Sequence, residues 1–291
     1  MPERIERIAV LGGGLMGSGI AESAARAGLP TVVRDVDEAA CEAARDRIEG
    51  SLGRLRDRGK LADAEYEETL DRVTYTADLA GLADADLVIE AVPENLPLKR
   101  AILAEVADVV RPDCLIASNT SSIAIAQLAG GLPQPERVLG LHFFSPVPVM
   151  ALVEIVVALR TSDATREAAE GFVAKIGKEA IVAKDRSGFV VNMLLVPYLM
   201  AAMRMYEEGF ATAADIDRGM QLGCGYPMGP LALCDMIGLD VMYMVCDSLY
   251  DEYRRPEYVP PPILKRMVAS GLLGRKAKQG FHDYEREASR A

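Results

Sequence analysis

The segment that most constrains this chain is Ile8-Ala9-Val10-Leu11-Gly12-Gly13-Gly14-Leu15-Met16-Gly17, an apolar run that meets glycines at GxGxxG spacing and passes directly into a helical pattern. A short continuous apolar run bounded by glycine reads as a buried parallel strand. Each glycine then has its own reason. Gly12 makes the tight turn, Gly14 lets the backbone approach a pyrophosphate, and Gly17 allows the helix to lie close on the strand. The helix start behind them presents unsatisfied N–H groups and partial positive charge, which suit phosphate. Gly12, Gly14, Leu15, Met16 and Gly17 are the expected dinucleotide contacts, the alternative being a glycine turn that binds nothing.

A second signal stands at the end of the next β-rich run. Asp35 follows Gly17 by 18 positions, close to the roughly 20 at which a carboxylate meets an adenosine ribose. It would accept hydrogen bonds from the ribose hydroxyls and repel a 2′-phosphate, so NAD is expected over NADP. Arg34 beside it works against that preference.

Short β-rich runs alternate with helical patterns as far as Lys184. Candidate strands are Ile8–Leu11, Thr31–Arg34, Val73–Thr76, Leu87–Ala91, Cys114–Ser118, Val138–Phe143, Leu152–Val157 and Ala180–Ala183. Helical stretches lie at roughly Met16–Ala27, Asp37–Arg58, Asp63–Asp71, Leu96–Val110 and Asp163–Ile176. Such alternation predicts an α/β fold, with a Rossmann-type NAD-binding domain over residues 1–187. Only helical patterns follow, at Val190–Glu208, Ala213–Leu222, Pro230–Tyr253 and Pro262–Ser270, predicting an all-α domain over 188–291. The apolar density of that region (LLVPYLMAAM, LALCDMIGLDVMYMV) exceeds what so small a unit buries by itself, so a homodimer formed through it is expected.

Composition narrows the function classes. Apolar residues at 50% and charged residues at 26% describe a folded globular chain. A net charge of −11 and the absence of Trp argue against a nucleic-acid partner. The five cysteines (Cys41, Cys114, Cys224, Cys234, Cys246) include no CxxC pair. They are expected to be small buried thiols in a reducing compartment, with no disulfide framework and no metal site. Arg7–Leu11 reads as a structural strand and leaves no room for a signal peptide. The longest apolar stretch, Phe189–Met203, is broken by Asn192 and Pro197 and is short of a membrane span. A cytoplasmic protein with no membrane partner is expected.

Candidate chemistry centres on His142, which ends the run VLGLHFF, and Glu154, in the run LVEIVV. The two are equidistant from Pro148, so a reversal there would set them opposite each other as a base and its orienting carboxylate. A base poised near neutral pH suits removal of an alcohol proton as hydride leaves the same carbon. The alternative is a satisfied core histidine. Asn119-Thr120-Ser121-Ser122 follows the run CLIAS at the carboxyl edge of the sheet, and reads either as ligand contacts or as a helix N-cap cluster. No GxSxG elbow is present, which disfavours a serine hydrolase. Asn192 lies inside an otherwise apolar helix, where it serves either a site or a buried structural hydrogen bond. Arg54 and Arg58 share a helix face, readable as a solvated basic face.

Taken together, these blocks resemble the 3-hydroxyacyl-CoA dehydrogenase family, in its single-function 3-hydroxybutyryl-CoA dehydrogenase form. GGGLMGSGIA, IEAVPENLPLK, ASNTSS, GLHFFSPVPVM, LVEIV, GFVVNMLLVPYLMAA, GYPMGP and a closing GRK…GF carry the likeness in order along nearly the whole chain. The resemblance implies catalytic roles for His142 and Glu154, and substrate-polarising roles for Ser121 and Asn192. It implies cofactor contacts at Asp35, Glu94, Lys99, Asn119, Ser145 and Lys276, and coenzyme A contacts at Ser51 and Arg58. There are departures. Ser145 stands where the family usually has Asn, Ala151 where Lys is common, and Met193 where Arg is frequent. Lys278 and His282 replace a usual Gly and Tyr. The implied activity is an NAD-dependent oxidoreductase interconverting a (3S)-3-hydroxyacyl-CoA and a 3-ketoacyl-CoA. Two alternatives stand beside it: a related dehydrogenase acting on a hydroxyacyl or glyceryl thioester tethered to an acyl-carrier protein in polyketide extender-unit supply, and a non-catalytic dinucleotide-binding protein.

Overall fold

Ile8–Leu11 (β1) is buried along its whole length. Fully burying each such aliphatic side chain is worth about 1.5–3 kcal/mol, so the strand is fixed by its neighbours on both faces. It pairs in parallel with β2 (Thr31–Arg34) on one side and β4 (Leu87–Glu90) on the other. With β3 (Val73–Thr76), β5 (Leu115–Ser118), β6 (Val138–Phe143), β7 (Leu152–Val157) and β8 (Glu179–Lys184) it forms one eight-stranded sheet in the order β3-β2-β1-β4-β5-β6-β7-β8. All pairings are parallel except β6 with β7. The chain leaves β1 toward one edge and returns to its other side as β4. That reversal of strand order places a crevice at the carboxyl end of β1, where open α/β sheets bind ligands.

In this computed structural model residues 5–285 are described, and the chain divides into two compact units, one ending at Arg186 and the other beginning at Ser187. The helices of the first unit are α1 (Leu15–Arg26), α2 (Glu38–Asp57), α3 (Asp63–Asp71), α4 (Leu96–Val109), α5 (Ile125–Ala129) and α6 (Asp163–Lys175). Several starts are legible in sequence: Asp37, Asn95 and Ser162 cap α2, α4 and α6 by accepting from the N–H three residues on. The second unit holds α7 (Val191–Glu207), α8 (Ala213–Cys224), α9 (Pro230–Ile237), α10 (Leu239–Tyr253) and α11 (Pro262–Ala269) around a core of its own that includes Leu199, Met203, Leu231, Leu239 and Leu264. No helix among the described residues is long and apolar enough to cross a membrane.

Four expectations need correction. The helix expected over Pro230–Tyr253 is two helices, α9 and α10, broken at Gly238 with φ 101. Apolar periodicity runs unbroken through that point, so only the backbone conformation shows the stop. The five-residue α5 was not expected, being too short to establish a period. Asn192 is not interior: it is the second residue of α7 and only half-buried, which weakens the burial argument made for its amide. Cys224, expected to be buried, is exposed at the end of α8, while the other four cysteines are buried.

Candidate active site

The β1–α1 turn is built to admit an anion. Gly12 has φ 89, a conformation that L side chains rarely adopt. A Cβ on Gly17 would stand 1.8 Å from the Gly12 carbonyl oxygen, so only glycine lets α1 start this close to the strand. Gly14 has nothing within 4 Å of where its Cβ would be, leaving the backbone open to a ligand. No side chain caps α1 and no acidic residue lies in its first turn, so nothing within the helix itself offsets the positive partial charge at its start. Asp35 follows β2 and accepts from Gly13 N–H at 2.7 Å, which places its carboxylate beside the turn. These residues fit a dinucleotide, whose phosphates the open helix start at Leu15 and Met16 would accept and whose ribose Asp35 would meet.

His142 and Glu154 are directly opposed across the antiparallel β6–β7 pair. His142 Nδ1 lies 2.6 Å from Glu154 Oε2, with the histidine 6% and the glutamate 0% exposed. A carboxylate can only accept, so the ring hydrogen belongs on Nδ1 and the lone pair on Nε2, the form a base needs. The Phe144 ring lies 4.5 Å from the imidazole. Lys178, just ahead of β8, donates to Val147 O at 2.6 Å and Met150 O at 2.7 Å, closing the loop that joins the two strands. Burial and the nearby Arg26 push the Lys178 ammonium below its usual value, partly offset by Glu22.

Asn119 follows β5 and turns its Oδ1 to Phe143 N–H at 2.9 Å, tying the Asn119–Ser122 loop to the residue after His142. Glu94 lies under the same loop, accepting from Ser121 N–H and Ser122 N–H at 3.2 Å each and from the Thr120 and Ser122 hydroxyls. Burial pushes Glu94 up, but the Lys99 cation and the hydroxyls of Thr120 and Ser122 outweigh it and hold the carboxyl below its usual range. Ser121 is half-buried. Ser145 is exposed at the turn beyond Phe144.

Lys99 departs from its expected place. It is 1% exposed, and its ammonium faces Glu90 Oε1 at 2.6 Å, Val92 O at 3.1 Å and Glu94 Oε2 at 3.2 Å. An ammonium has three protons, and three protein acceptors take them. Lys99 thus bridges Glu90 and Glu94. The anchor of this network, Glu90, escaped the sequence reading. It is fully buried at the end of β4 and also accepts from Val92 N–H at 2.7 Å and the Ser118 hydroxyl at 2.5 Å. The available signal was an acid closing the apolar run LVIE.

Ser51 is half-buried on α2, where its hydroxyl bonds the buried Glu22, and Arg58 is the exposed residue that ends the helix. Asn192 and Lys276 belong to the second unit. Lys276 pairs with both oxygens of Asp240 at 2.6 Å, while half of its side chain stays exposed. His282, one of the departures from the family pattern, lies 2.7 Å from Asp217.

Fold and site together point to the dinucleotide-binding class of oxidoreductases, with a histidine–glutamate contact at the carboxyl edge of a Rossmann sheet. Comparison with known proteins fixes the family. Residues 7–186 match the NAD-binding domain of 3-hydroxyacyl-CoA dehydrogenase, and residues 188–284 match its C-terminal domain. A 3-hydroxybutyryl-CoA dehydrogenase of Mycobacterium tuberculosis is 49% identical over 286 residues, covering 98% of this chain and 100% of the relative. The human mitochondrial hydroxyacyl-coenzyme A dehydrogenase is 39% identical, covering 97% and 92%. The crystal structure of (S)-3-hydroxybutyryl-CoA dehydrogenase from Ralstonia eutropha superposes with a TM-score of 0.93 at 43% identity, covering 96% of this chain and 99% of that one. The chain belongs to the 3-hydroxyacyl-CoA dehydrogenase family, and is an NAD-dependent oxidoreductase.

Proposed function

We propose that this chain interconverts a (3S)-3-hydroxyacyl-CoA and the corresponding 3-ketoacyl-CoA, with His142 as the acid and base and Glu154 as its partner. The observation that carries this reading is the 2.6 Å His142–Glu154 contact, in strand register beside Asn119. Bound NAD supplies the hydride acceptor. In the oxidative direction His142 Nε2 takes the 3-hydroxyl proton as the hydride departs, and Glu154 stabilises the imidazolium that forms. In reduction His142 returns the proton. The Ser121 hydroxyl donates to the reacting oxygen, so that developing charge meets a donor; a substrate-polarising role for Asn192 rests on the resemblance alone. Gly12, Gly14, Leu15, Met16, Gly17, Asp35 and Glu94 hold the cofactor. Ser51 and Arg58 take the coenzyme A.

Residues 1–187 bind NAD and 188–291 form a homodimer, a division supported by the two compact units whose boundary falls between Arg186 and Ser187. Supporting the dimer, the second unit leaves Leu194, Leu222 and Met244 exposed at 75%, 73% and 53%. The free cysteines fit a reducing, cytoplasmic compartment. A carrier-tethered thioester is the second reading, with which the changes at Ser145, Ala151 and Met193 are compatible.

The test is NADH consumption with acetoacetyl-CoA, longer 3-ketoacyl-CoAs and a carrier-tethered 3-ketoacyl group. Turnover on the coenzyme A thioesters supports the proposal. Turnover on the carrier-tethered group alone would replace the substrate. NADH binding without turnover on any of them would remove the catalytic reading.

A further inference from the structure

Gly13, inside the phosphate-binding turn, is held from both ends by opposite charges. Its N–H donates to Asp35 Oδ2 at 2.7 Å, and its carbonyl accepts from Arg47 Nη1 at 3.2 Å and from the Ser18 hydroxyl at 2.7 Å. The arginine reaches this point because α2 packs directly under the turn: a Cβ on Gly13 would stand 2.3 Å from Ala44 Cβ. Arg47 lies one helical turn beyond Ala44. Asp35 Oδ1 accepts only from Val36 N–H, and among the described residues neither Asp35 nor Arg47 forms an ion pair. Arg34, which the sequence placed beside Asp35, is instead anchored through its Nε to Ala77 O at 3.2 Å.

An exposed arginine has much side-chain freedom to lose, and one long bond to a neutral carbonyl gives little reason to lose it. Its guanidinium has further donors, suited to a phosphate or a ribose hydroxyl. We infer that Asp35 and Arg47 together set which dinucleotide this turn takes. Asp35 accepts the ribose hydroxyls and repels a 2′-phosphate, and Arg47 holds a cation at the same end of the cofactor. The turn is an NAD site that already contains the cation of an NADP site, closed to phosphate by one carboxylate. This inference rests on the NAD-binding reading of the first unit.

Fluorescence titration of NADH and NADPH tests it in the wild type, Asp35→Asn, Arg47→Gln and the double variant. Asparagine keeps an acceptor for Gly13 N–H and removes only the charge; Asp35→Ser is the second variant if the first fails to fold. The wild type should bind NADH about tenfold more tightly than NADPH, and Asp35→Asn should bind NADPH about tenfold more tightly than the wild type does. Adding Arg47→Gln should abolish that gain while changing NADH affinity by less than about threefold. Equal loss of both dinucleotides on Arg47→Gln, an unchanged NADPH affinity in the double variant relative to Asp35→Asn, or a wild type that binds both dinucleotides alike would each overturn the inference. Failure of the dehydrogenase reading would look different: NADH bound without turnover, with these binding ratios unaltered.

Discussion

The chain has two histidines, and each sits against a carboxylate: His142 Nδ1 at 2.6 Å from Glu154 in the first unit, His282 Nε2 at 2.7 Å from Asp217 in the second. The two contacts are nearly the same length, yet they belong to different structures. Asp217 also accepts from Leu231 N–H at 2.7 Å and Ala232 N–H at 2.9 Å, so its carboxylate holds the start of α9 and His282 completes the clamp. The segment carrying His282 is fixed again by Asp235, which accepts from Phe281 N–H, His282 N–H and the Tyr284 hydroxyl. Glu154 stands on a strand, opposite a histidine at the carboxyl edge of a ligand-binding sheet. A histidine–carboxylate contact is therefore not a catalytic pair by its own geometry. What sets the His142–Glu154 contact apart is its place at the carboxyl edge of the sheet, the ground on which it is proposed as the acid–base pair.

Breaking the first pair should give the largest effect. His142→Gln is expected to lower kcat about 10³-fold with NADH affinity retained, since the proton carrier is gone; His282→Gln should leave kcat within about threefold of wild type. Steady-state kinetics on both variants would erase the distinction if the losses were alike. Glu154→Gln comes next. It preserves shape but strips the imidazolium of its countercharge, for an expected kcat loss of about 10²-fold, read with circular dichroism as a check on folding.

Asp217→Asn sharpens the other half of the comparison. Removing a buried charge that holds two helix N–H groups should cost about 1–3 kcal/mol. A lowered Tm with kcat per folded molecule preserved is the expected outcome, and a kcat loss at unchanged Tm would move this pair into the chemistry. The smallest effect concerns Glu22, a buried carboxylate with no histidine beside it. It is 1% exposed, and its Oε1 has no hydrogen-bond partner among the described residues. Burial pushes its carboxyl above the usual range, only partly offset by the Ser51 hydroxyl and the cations of Arg26, Arg54 and Lys178. With the folded value raised, the unfolded chain ionises first. The cost is absent below the ordinary carboxylate pKa, appears as pH rises through it and persists above the folded value. Glu22→Gln should thus stabilise the protein at neutral pH and leave stability unchanged at acid pH, measured by denaturant unfolding at both.

The sheet was legible because burial on both faces writes a continuous apolar run, as in Ile8–Leu11, and the pairing of His142 with Glu154 because an antiparallel reversal is symmetric about its turn. Other features left no such mark. The Gly238 break interrupts no apolar period, and LVIEAVPENLPLK looks the same whether Glu90 and Lys99 face a ligand or each other.

By itself, then, the sequence determined what depends on local pattern: the β1–α1 turn with its required glycines, the change from α/β to all-α near Lys184, and the opposition of His142 to Glu154. The tertiary structure alone decided which charges are buried and what satisfies them. Lys99 turns inward to two glutamates, Asp217 and Asp235 become clamps, and Arg47 rather than Arg34 reaches the phosphate turn. The reason is physical. A strand or turn is set by neighbours along the chain, whereas a buried charge is stable only beside partners brought from distant positions.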